Sequence, residues 1–200
     1  MAATIDYFLS PQSPWTYLGH DRFAAIAAKA GATINVLPVD LGRVFPVSGG
    51  LPLAKRAPQR QAYRLLELKR FSEFLGLPMN VQPKYFPVNG DDAAKLIIAI
   101  DMHDGTAAAM RIAGAVMKGV WVEQANIADP TVLQSMLAAC ELPERRLDDA
   151  QTQLVHERYE QDSQRAIDSG VFGAPAYVVD GEMFWGQDRL DFVERKLARG

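Results

Sequence analysis

Hydrophobic and polar positions follow two different periods along this chain, and the change of period divides it into parts. Near the start, the apolar runs at residues 5–9 and 33–39 predict two strands. Between them, apolar residues recur at helical spacing over residues 17–30, and Gly31 ends the predicted helix. A strand, a helix and a strand in this order indicate a βαβ unit with a parallel pair of strands.

The middle of the chain is predicted to be mainly helical. Residues 43–58 are rich in glycine and proline and predict a long loop. A helix is predicted from residue 59 to Gly76, with its apolar residues forming one face. Residues 91–102 and 106–122 are alanine-rich and apolar on most sides, which is typical of buried helices. The remaining predicted helices cover residues 91–102, 106–122, 129–140 and 144–169.

The strand period returns after Gly170. Residues 177–180 and 183–185 predict a hairpin with Asp180-Gly181 at its turn, and residues 187–199 predict a terminal helix. We therefore predict an α/β protein in which a helical domain is inserted into a thioredoxin-like sheet. Residues 1–42 and 170–200 would form the thioredoxin-like domain, and residues 43–169 the inserted helical domain.

Composition and charge narrow the function classes. The 200-residue chain is 48% hydrophobic and 22% charged with a net charge of −3, and no dense basic stripe indicates a nucleic-acid partner. Its apolar runs fall short of the roughly 20 residues of a membrane helix, and no signal peptide is evident. The single Cys140 excludes an intrachain disulfide, so we expect a cytoplasmic protein. The three histidines are not spaced as metal ligands, and we predict no metal site.

Ser13-Pro14-Trp15-Thr16 lies between the first strand and helix, where a thioredoxin-like redox protein carries Cys-x-x-Cys. Pro14 suits a first helical turn, and Ser13 is a candidate N-cap. Free N–H groups at a helix N-terminus stabilise a thiolate. We therefore predict that a sulfur anion arriving on a ligand, with glutathione the candidate, lies beside Ser13. The alternative is that Ser13 only caps the helix.

Two later segments of the chain are candidates for binding the rest of such a ligand. If the bond before Pro175 is cis, the N–H and C=O of Ala174 are free to bind an extended peptide; an ordinary turn proline is the alternative. Gln187 and Asp188 open the last helix, where backbone N–H groups receive a carboxylate and Asp188 an ammonium. Both charges occur at the γ-glutamyl end of glutathione. Capping by Asp188 is the alternative.

Basic and aromatic residues supply the remaining candidates. A basic side chain near the glycine- and proline-rich loop is expected to pair with the other carboxylate of a tripeptide, although a solvated helix face is the alternative. These basic residues are Lys55, Arg56, Arg60 and Lys84. Aromatic residues are candidates for a pocket for an aromatic substrate, with core packing as the alternative. The aromatic candidates are Trp15, Tyr85, Phe86, Trp121, Phe172 and Trp185. The predicted pocket residues are Trp15, Lys84, Tyr85 and Phe86.

Taken together, these motifs resemble the 2-hydroxychromene-2-carboxylate isomerases, which belong with the kappa-class glutathione transferases and the DsbA-like thioredoxin fold. The resemblance covers nearly the full length. It rests on residues 13–19, 38–41, 61–63, 170–175 and 180–189. It implies a glutathione-dependent isomerase in which a thiolate adds reversibly to a conjugated aromatic-catabolism intermediate. It also implies a homodimer.

The resemblance implies roles for individual residues. Ser13 would be catalytic and face the glutathione sulfur, Pro175 would be cis, and Ala174 would hold the cysteinyl backbone. The implied glutathione contacts are Ser13, Arg60, Ala174, Pro175, Gln187 and Asp188. The chain departs from the family pattern at Ser10, where an acidic residue is usual, at Gly50, where an asparagine is frequent, and at Gln187, where a smaller capping residue is common.

Two other functions stay open at this point. A kappa-class-like glutathione transferase or peroxidase would leave the sulfur on its product or reduce a peroxide. A non-catalytic thioredoxin-like binding module would use Ser13 only as a helix cap. A dithiol oxidoreductase is excluded because the single Cys140 cannot cycle a pair of thiols.

Overall fold

The structure is a computed structural model that describes residues 2–199, and its centre is a mixed four-stranded sheet. The strands are β1 (Thr4–Leu9), β2 (Thr33–Pro38), β3 (Ala176–Val179) and β4 (Glu182–Trp185), in the order β2-β1-β3-β4. β1 pairs with β2 in parallel, whereas β3 is antiparallel to both β1 and β4. The predicted βαβ unit and hairpin are therefore confirmed.

Helices connect and cover this sheet. α1 (Pro14–Lys29) connects β1 to β2, and α9 (Leu190–Leu197) follows β4 after a 3₁₀ turn at Gln187–Arg189. Between β2 and β3 lie α2 (Leu41–Ser48), α3 (Pro58–Leu75), α4 (Asp91–Asp104), α5 (Thr106–Trp121), α6 (Pro130–Ala139), α7 (Arg146–Asp149) and α8 (Gln153–Asp168). Within residues 2–199, no helix has the length and apolar character required to span a membrane.

The segment predicted as one long loop contains a helix, α2. The Asp40 carboxylate accepts a hydrogen bond from the Gly42 N–H at 2.7 Å, which caps the helix. Val44 is fully buried and anchors the helix to the sheet, and left-handed Gly49 ends it. Pro46 removes one helical hydrogen bond. The cap and the buried valine stabilise the helix by more than that loss. The loop was predicted from glycine and proline content alone, which takes neither contribution into account.

The single helix predicted over residues 144–169 is broken into α7 and α8. Thr152 has an extended backbone, and α8 begins after it. The buried Arg146 guanidinium forms ion pairs of 2.6 Å with both Asp104 and Asp149, so α7 is held to α4. The ion pair between Arg146 of α7 and Asp104 of α4 therefore determines where the predicted helix is interrupted.

The strands present alternate residues to two hydrophobic clusters. Tyr7 belongs to the larger cluster, which also contains Phe23 of α1 and Ile97 of α4. Phe8 belongs to the smaller cluster with Val44 of α2. The inserted helices thus share their core with the sheet, and the division into two domains stays a prediction.

The predicted apolar face of α3 is only partly buried. Leu68 is fully buried, but Leu66 is 53% exposed and Phe74 is 82% exposed. α3 therefore lies at the periphery, with much of its apolar surface open to solvent.

Candidate active site

Ser13 occupies the N-cap of α1, as predicted. Its backbone is extended, Pro14 is the first helical residue, and the Ser13 hydroxyl oxygen accepts a hydrogen bond from the Thr16 N–H at 3.2 Å. The residue is 8% exposed. The positive end of a 16-residue helix is therefore directed at a largely shielded hydroxyl.

The same hydroxyl joins α1 to the segment before β3. Ser13 Oγ donates a hydrogen bond of 3.1 Å to the carbonyl oxygen of Ala174, 161 residues away. The Ala174–Pro175 peptide bond is cis, which confirms what the resemblance implied. The Pro175 carbonyl oxygen in turn accepts a hydrogen bond from the Gly186 N–H at 2.9 Å. Three predicted segments therefore meet at one place.

Two backbone N–H groups beside this junction are free. Within residues 2–199, the N–H groups of Trp15 and Ala174 have no hydrogen-bond partner. Trp15 is the second residue of α1, where an N–H has no intrahelical acceptor. Ala174 is only 7% exposed. Buried N–H groups are normally paired, so these two donors indicate a place for a ligand that accepts hydrogen bonds.

Thr16 stands where the second cysteine of a Cys-x-x-Cys motif would lie. It is fully buried, and its hydroxyl oxygen has no partner among residues 2–199. Thr16 therefore faces the interior, and Ser13 is the hydroxyl of this motif that lies beside the free donors.

Gln187 and Asp188 take different orientations. Gln187 is buried against α1, and its amide oxygen accepts a hydrogen bond from Arg22 Nη1 at 3.1 Å. A Cβ atom added to Gly19 would lie 2.7 Å from Gln187 Cβ, so the contact with α1 is close. Asp188 is exposed and pairs with Arg189 at 2.6 Å. The backbone of this turn and the Asp188 carboxylate therefore remain for a ligand, whereas the Gln187 side chain does not.

Arg60 lies in the first turn of α3 and is exposed. The pKa of the neighbouring Arg56 is lowered, first by the burial of Arg56 itself and then by the charge of Arg60. Burial, followed by the charge of Arg56, lowers the pKa of Arg64 to about 10. These three residues are hereafter the arginine cluster. Sequence reasoning missed Arg64, although its position one helical turn after Arg60 was a usable signal.

The arginine cluster adjoins two aromatic rings. The Arg64 guanidinium carbon lies 5.3 Å from the centre of the Phe86 ring and 5.8 Å from that of Trp121. The two ring centres are 4.7 Å apart. These distances are typical of cation–π contacts.

The other predicted pocket residues lie in two places. Trp15 packs edge-on against Phe71 of α3, with ring centres 5.9 Å apart. Lys84 Nζ lies 4.8 Å from the ring centre of Tyr85, and both side chains are exposed. The structure therefore puts Trp15 at the contact between α1 and α3, and residues 84–86 near the arginine cluster.

His20 belongs to the core. Its Nε2–H donates to the Met110 carbonyl oxygen at 2.9 Å, and Nδ1 accepts from the Tyr7 hydroxyl at 3.1 Å. Burial lowers the pKa of His20, so the ring is neutral. Across residues 2–199, no group of three or more His, Cys, Asp or Glu side chains is arranged to hold a metal ion.

A cavity of about 390 Å³ lies between α1 and α5, away from the predicted site residues. Tyr17, His20 and Met110 contribute to its walls, whereas Ser13, Ala174 and the arginine cluster do not. The candidate site is therefore the junction of Ser13, Ala174 and the 186–188 turn.

Comparison with known families supports the fold. Residues 4–198 match the family model of the DSBA-like thioredoxin domain. The chain is 28% identical to a 2-hydroxychromene-2-carboxylate isomerase of Pseudomonas putida over 98% of this chain and 94% of that protein. It is 27% identical to a protein of the same name from Sphingobium xenophagum, over 98% of this chain and 99% of the relative.

Solved structures give the same result. A 2-hydroxychromene-2-carboxylate isomerase superposes with a TM-score of 0.81 at 24% identity, covering 98% of this chain and 95% of the other. A cytosolic disulfide reductase DsbM from Pseudomonas aeruginosa, solved with GSH, has a TM-score of 0.69 at 17% identity over 98% and 99% of the two chains. The predicted DsbA-like thioredoxin fold is thereby confirmed.

Proposed function

Because the chain belongs to the DSBA-like thioredoxin domain family, we propose that it is a glutathione-dependent isomerase of the 2-hydroxychromene-2-carboxylate isomerase type. The two curated relatives of that name cover nearly the whole chain and support the isomerase class. One observation carries the proposal: the Ser13 hydroxyl lies at the N-terminus of α1 and is hydrogen-bonded to Ala174, and the N–H groups of Trp15 and Ala174 are free.

This junction suits a thiolate. The free Trp15 N–H and the helix dipole both stabilise negative charge at the start of α1. Ser13 adds an O–H donor once its hydroxyl turns away from the Ala174 carbonyl oxygen. Each of these interactions favours the ionised form of a bound thiol over the neutral form, which lowers the thiol pKa.

The turn of the Ser13 hydroxyl also frees the Ala174 carbonyl. Ala174 then offers one N–H donor and one C=O acceptor, the pair with which an extended peptide binds as an added strand. The cysteinyl residue of glutathione has the matching C=O and N–H. Ala174 and Pro175 therefore hold the centre of the tripeptide in this proposal.

The two ends of glutathione are assigned to charged groups elsewhere on the surface. The 186–188 turn lies next to Pro175 through the hydrogen bond of Gly186, and Asp188 offers its carboxylate to the γ-glutamyl ammonium. Arg60 is exposed and offers its guanidinium to the glycine carboxylate.

When bound, glutathione supplies a nucleophile that adds to a conjugated carbon and later leaves unchanged, so the product is an isomer of the substrate. Ser13 and the α1 N-terminus stabilise the negative charge on the sulfur before addition and again at departure. Lys84, Tyr85 and Phe86 near the arginine cluster, and Trp15 at the contact between α1 and α3, are the residues proposed to contact the aromatic substrate.

The same proposal includes a cytoplasmic location and a homodimer. The exposed apolar side chains of α3, Leu66 and Phe74, support association with a second copy. Sedimentation of the purified protein tests this part, and a monomer at all concentrations would contradict it.

The activity test uses 2-hydroxychromene-2-carboxylate with and without glutathione, with product and glutathione both quantified. The proposal predicts an isomeric product, a requirement for glutathione, and no net consumption of it. A glutathione-bearing product would indicate a transferase. If the protein shows no turnover and does not bind glutathione at millimolar concentration, it is a binding module.

A further inference from the structure

Arg64 is a partly buried cation whose charge is not balanced by the protein. Within residues 2–199, its guanidinium makes no hydrogen bond and no ion pair. After burial, the cause that lowers its pKa is the charge of another cation, Arg56. A half-buried charge without a partner destabilises a fold, so its position calls for an explanation. The pKa of Arg64, about 10, still leaves the group charged at neutral pH.

The surroundings of Arg64 determine what it can bind. The guanidinium carbon lies over the rings of Phe86 and Trp121, at 5.3 Å and 5.8 Å from their centres. These contacts use none of the guanidinium's conventional hydrogen bonds, so the N–H groups along its edge stay free. That edge matches the two oxygens of a carboxylate. The adjoining Phe86 ring is partly exposed and favours a flat, apolar body attached to the carboxylate.

We propose that Arg64 binds the carboxylate of an aromatic acid, with the partly exposed Phe86 ring beside the ligand's ring. Arg56 adds positive charge to the same place. This deepens the proposed function and rests on it, because it assumes that the thiol arrives at Ser13.

The chain connects this subsite to Ser13. The Val88 N–H donates a hydrogen bond of 3.3 Å to the side-chain oxygen of Gln12, which immediately precedes Ser13. Phe86 is two residues before Val88. The aromatic wall of the Arg64 subsite is thus tied to the segment that carries the catalytic candidate.

A carboxylate at this place has two possible sources, the aromatic acid and the glycine end of glutathione. The adjoining Phe86 ring favours the aromatic acid, and the exposed Arg60 remains for the glycine. The two sources are separated by using glutathione and γ-glutamylcysteine, which lacks the glycine, as parallel probes.

The experiment measures binding by calorimetry to the wild type and to Arg64→Gln. The probes are 2-naphthoate, the uncharged 2-naphthamide, glutathione and γ-glutamylcysteine. We expect Arg64→Gln to weaken 2-naphthoate binding by about 10- to 100-fold, the usual effect of a charged hydrogen bond, and to leave 2-naphthamide unchanged. Glutathione binding should change less than about twofold, because Arg64 is outside the proposed tripeptide contacts.

Two further variants serve as controls. Arg70→Gln removes an arginine of the same helix that already pairs with Glu67 at 2.7 Å, and it should leave 2-naphthoate binding unchanged. Arg64→Lys keeps the charge without the planar edge and should retain part of the affinity. Thermal unfolding of each variant confirms that it is folded.

The outcomes are separable from those of the proposed function. Absent 2-naphthoate binding in the wild type, or equal binding in Arg64→Gln, overturns the inference. It is also overturned if Arg64→Gln weakens glutathione but not γ-glutamylcysteine, since Arg64 would then bind the glycine. Arg64-dependent 2-naphthoate binding without any glutathione binding supports the subsite and contradicts only the proposed function.

Discussion

The Ser13 hydroxyl donates a hydrogen bond of 3.1 Å to the carbonyl oxygen of Ala174. This one contact joins the N-terminus of α1 to the cis-proline segment, and it satisfies both groups while no peptide is bound. A ligand that binds here must take over both partners: an acceptor for the Ser13 O–H and a donor for the Ala174 C=O. A cysteinyl thiolate with its own N–H provides both.

Ser13→Ala should slow isomerisation by about 10- to 100-fold, since it removes one charged hydrogen bond worth about 1.5–3 kcal/mol. It also removes the cap of α1, so we expect the free energy of unfolding to fall by about 0.5–2 kcal/mol. Steady-state rates and urea unfolding measure the two effects. Thr16→Val is the matched control, because the Thr16 hydroxyl has no partner in the described chain. Unchanged turnover in Ser13→Ala would remove Ser13 from the mechanism.

The double variant Ser13→Cys/Thr16→Cys should form a disulfide and reduce or oxidise thiols. The two positions have the spacing of a Cys-x-x-Cys motif at a helix N-terminus, where a cysteine pKa is lowered. Thiol counting by mass spectrometry and insulin reduction test this. The single variant Thr16→Cys is the control and should not cycle. Failure of the double variant to form a disulfide would mean that this site differs from a redox site by more than its two side chains.

Gly19→Ala should destabilise the fold by about 1–3 kcal/mol, even though alanine favours helices, because of overpacking. The added methyl group would lie 2.7 Å from Gln187 Cβ and push the 186–188 turn away from α1. Glutathione affinity should fall with stability. Gln187→Gly in the same chain removes the clash, so the double variant should recover part of the lost stability. A neutral effect of Gly19→Ala would show that the turn adapts freely.

Asp162 of α8 should make stability depend on pH. Burial raises the pKa of this carboxyl from 3.8 to about 6, against the opposing effect of Arg158 at 2.8 Å. Between pH 3.8 and about pH 6, the Asp162 carboxyl of the folded chain holds a proton that the unfolded chain has released. Raising the pH through this range therefore lowers the free energy of unfolding, by up to about 3 kcal/mol.

Asp162→Asn should abolish this dependence. Urea unfolding at about pH 4.5 and about pH 7.5 gives the comparison, and the wild type should lose stability relative to the variant at the higher pH. Asp148→Asn, at an exposed position, should follow the wild type. Parallel pH profiles for the wild type and Asp162→Asn would show that the buried carboxyl is not perturbed.

Local signals were sufficient to predict much of the fold. Ser13 with Pro14 gave the start of α1, and Asp180-Gly181 gave the hairpin, because caps and tight turns depend on adjacent residues. The helix at residues 41–48 was missed because its anchor, Val44, is buried by the distant sheet. The break between α7 and α8 likewise depends on Arg146 pairing with Asp104 of α4.

In the candidate site, too, the features that the sequence did not predict depend on contacts between distant segments. The sequence identified Ser13 and Ala174 separately, but their contact depends on segments 161 residues apart. It did not indicate that the Gln187 side chain faces α1, since that follows from the space left by Gly19. Arg64 was missed because its setting is made by Phe86 and Trp121, which come from two other segments.

The most direct test of the account is the thiol pKa of bound glutathione, measured from the ultraviolet absorbance of the thiolate across a pH titration. An ordinary cysteine thiol has a pKa of about 8.5. We predict a value lower by at least about one unit in the wild type, and a return towards the ordinary value in Ser13→Ala. A bound thiol that titrates as it does in free solution, or identically in both proteins, would contradict the account.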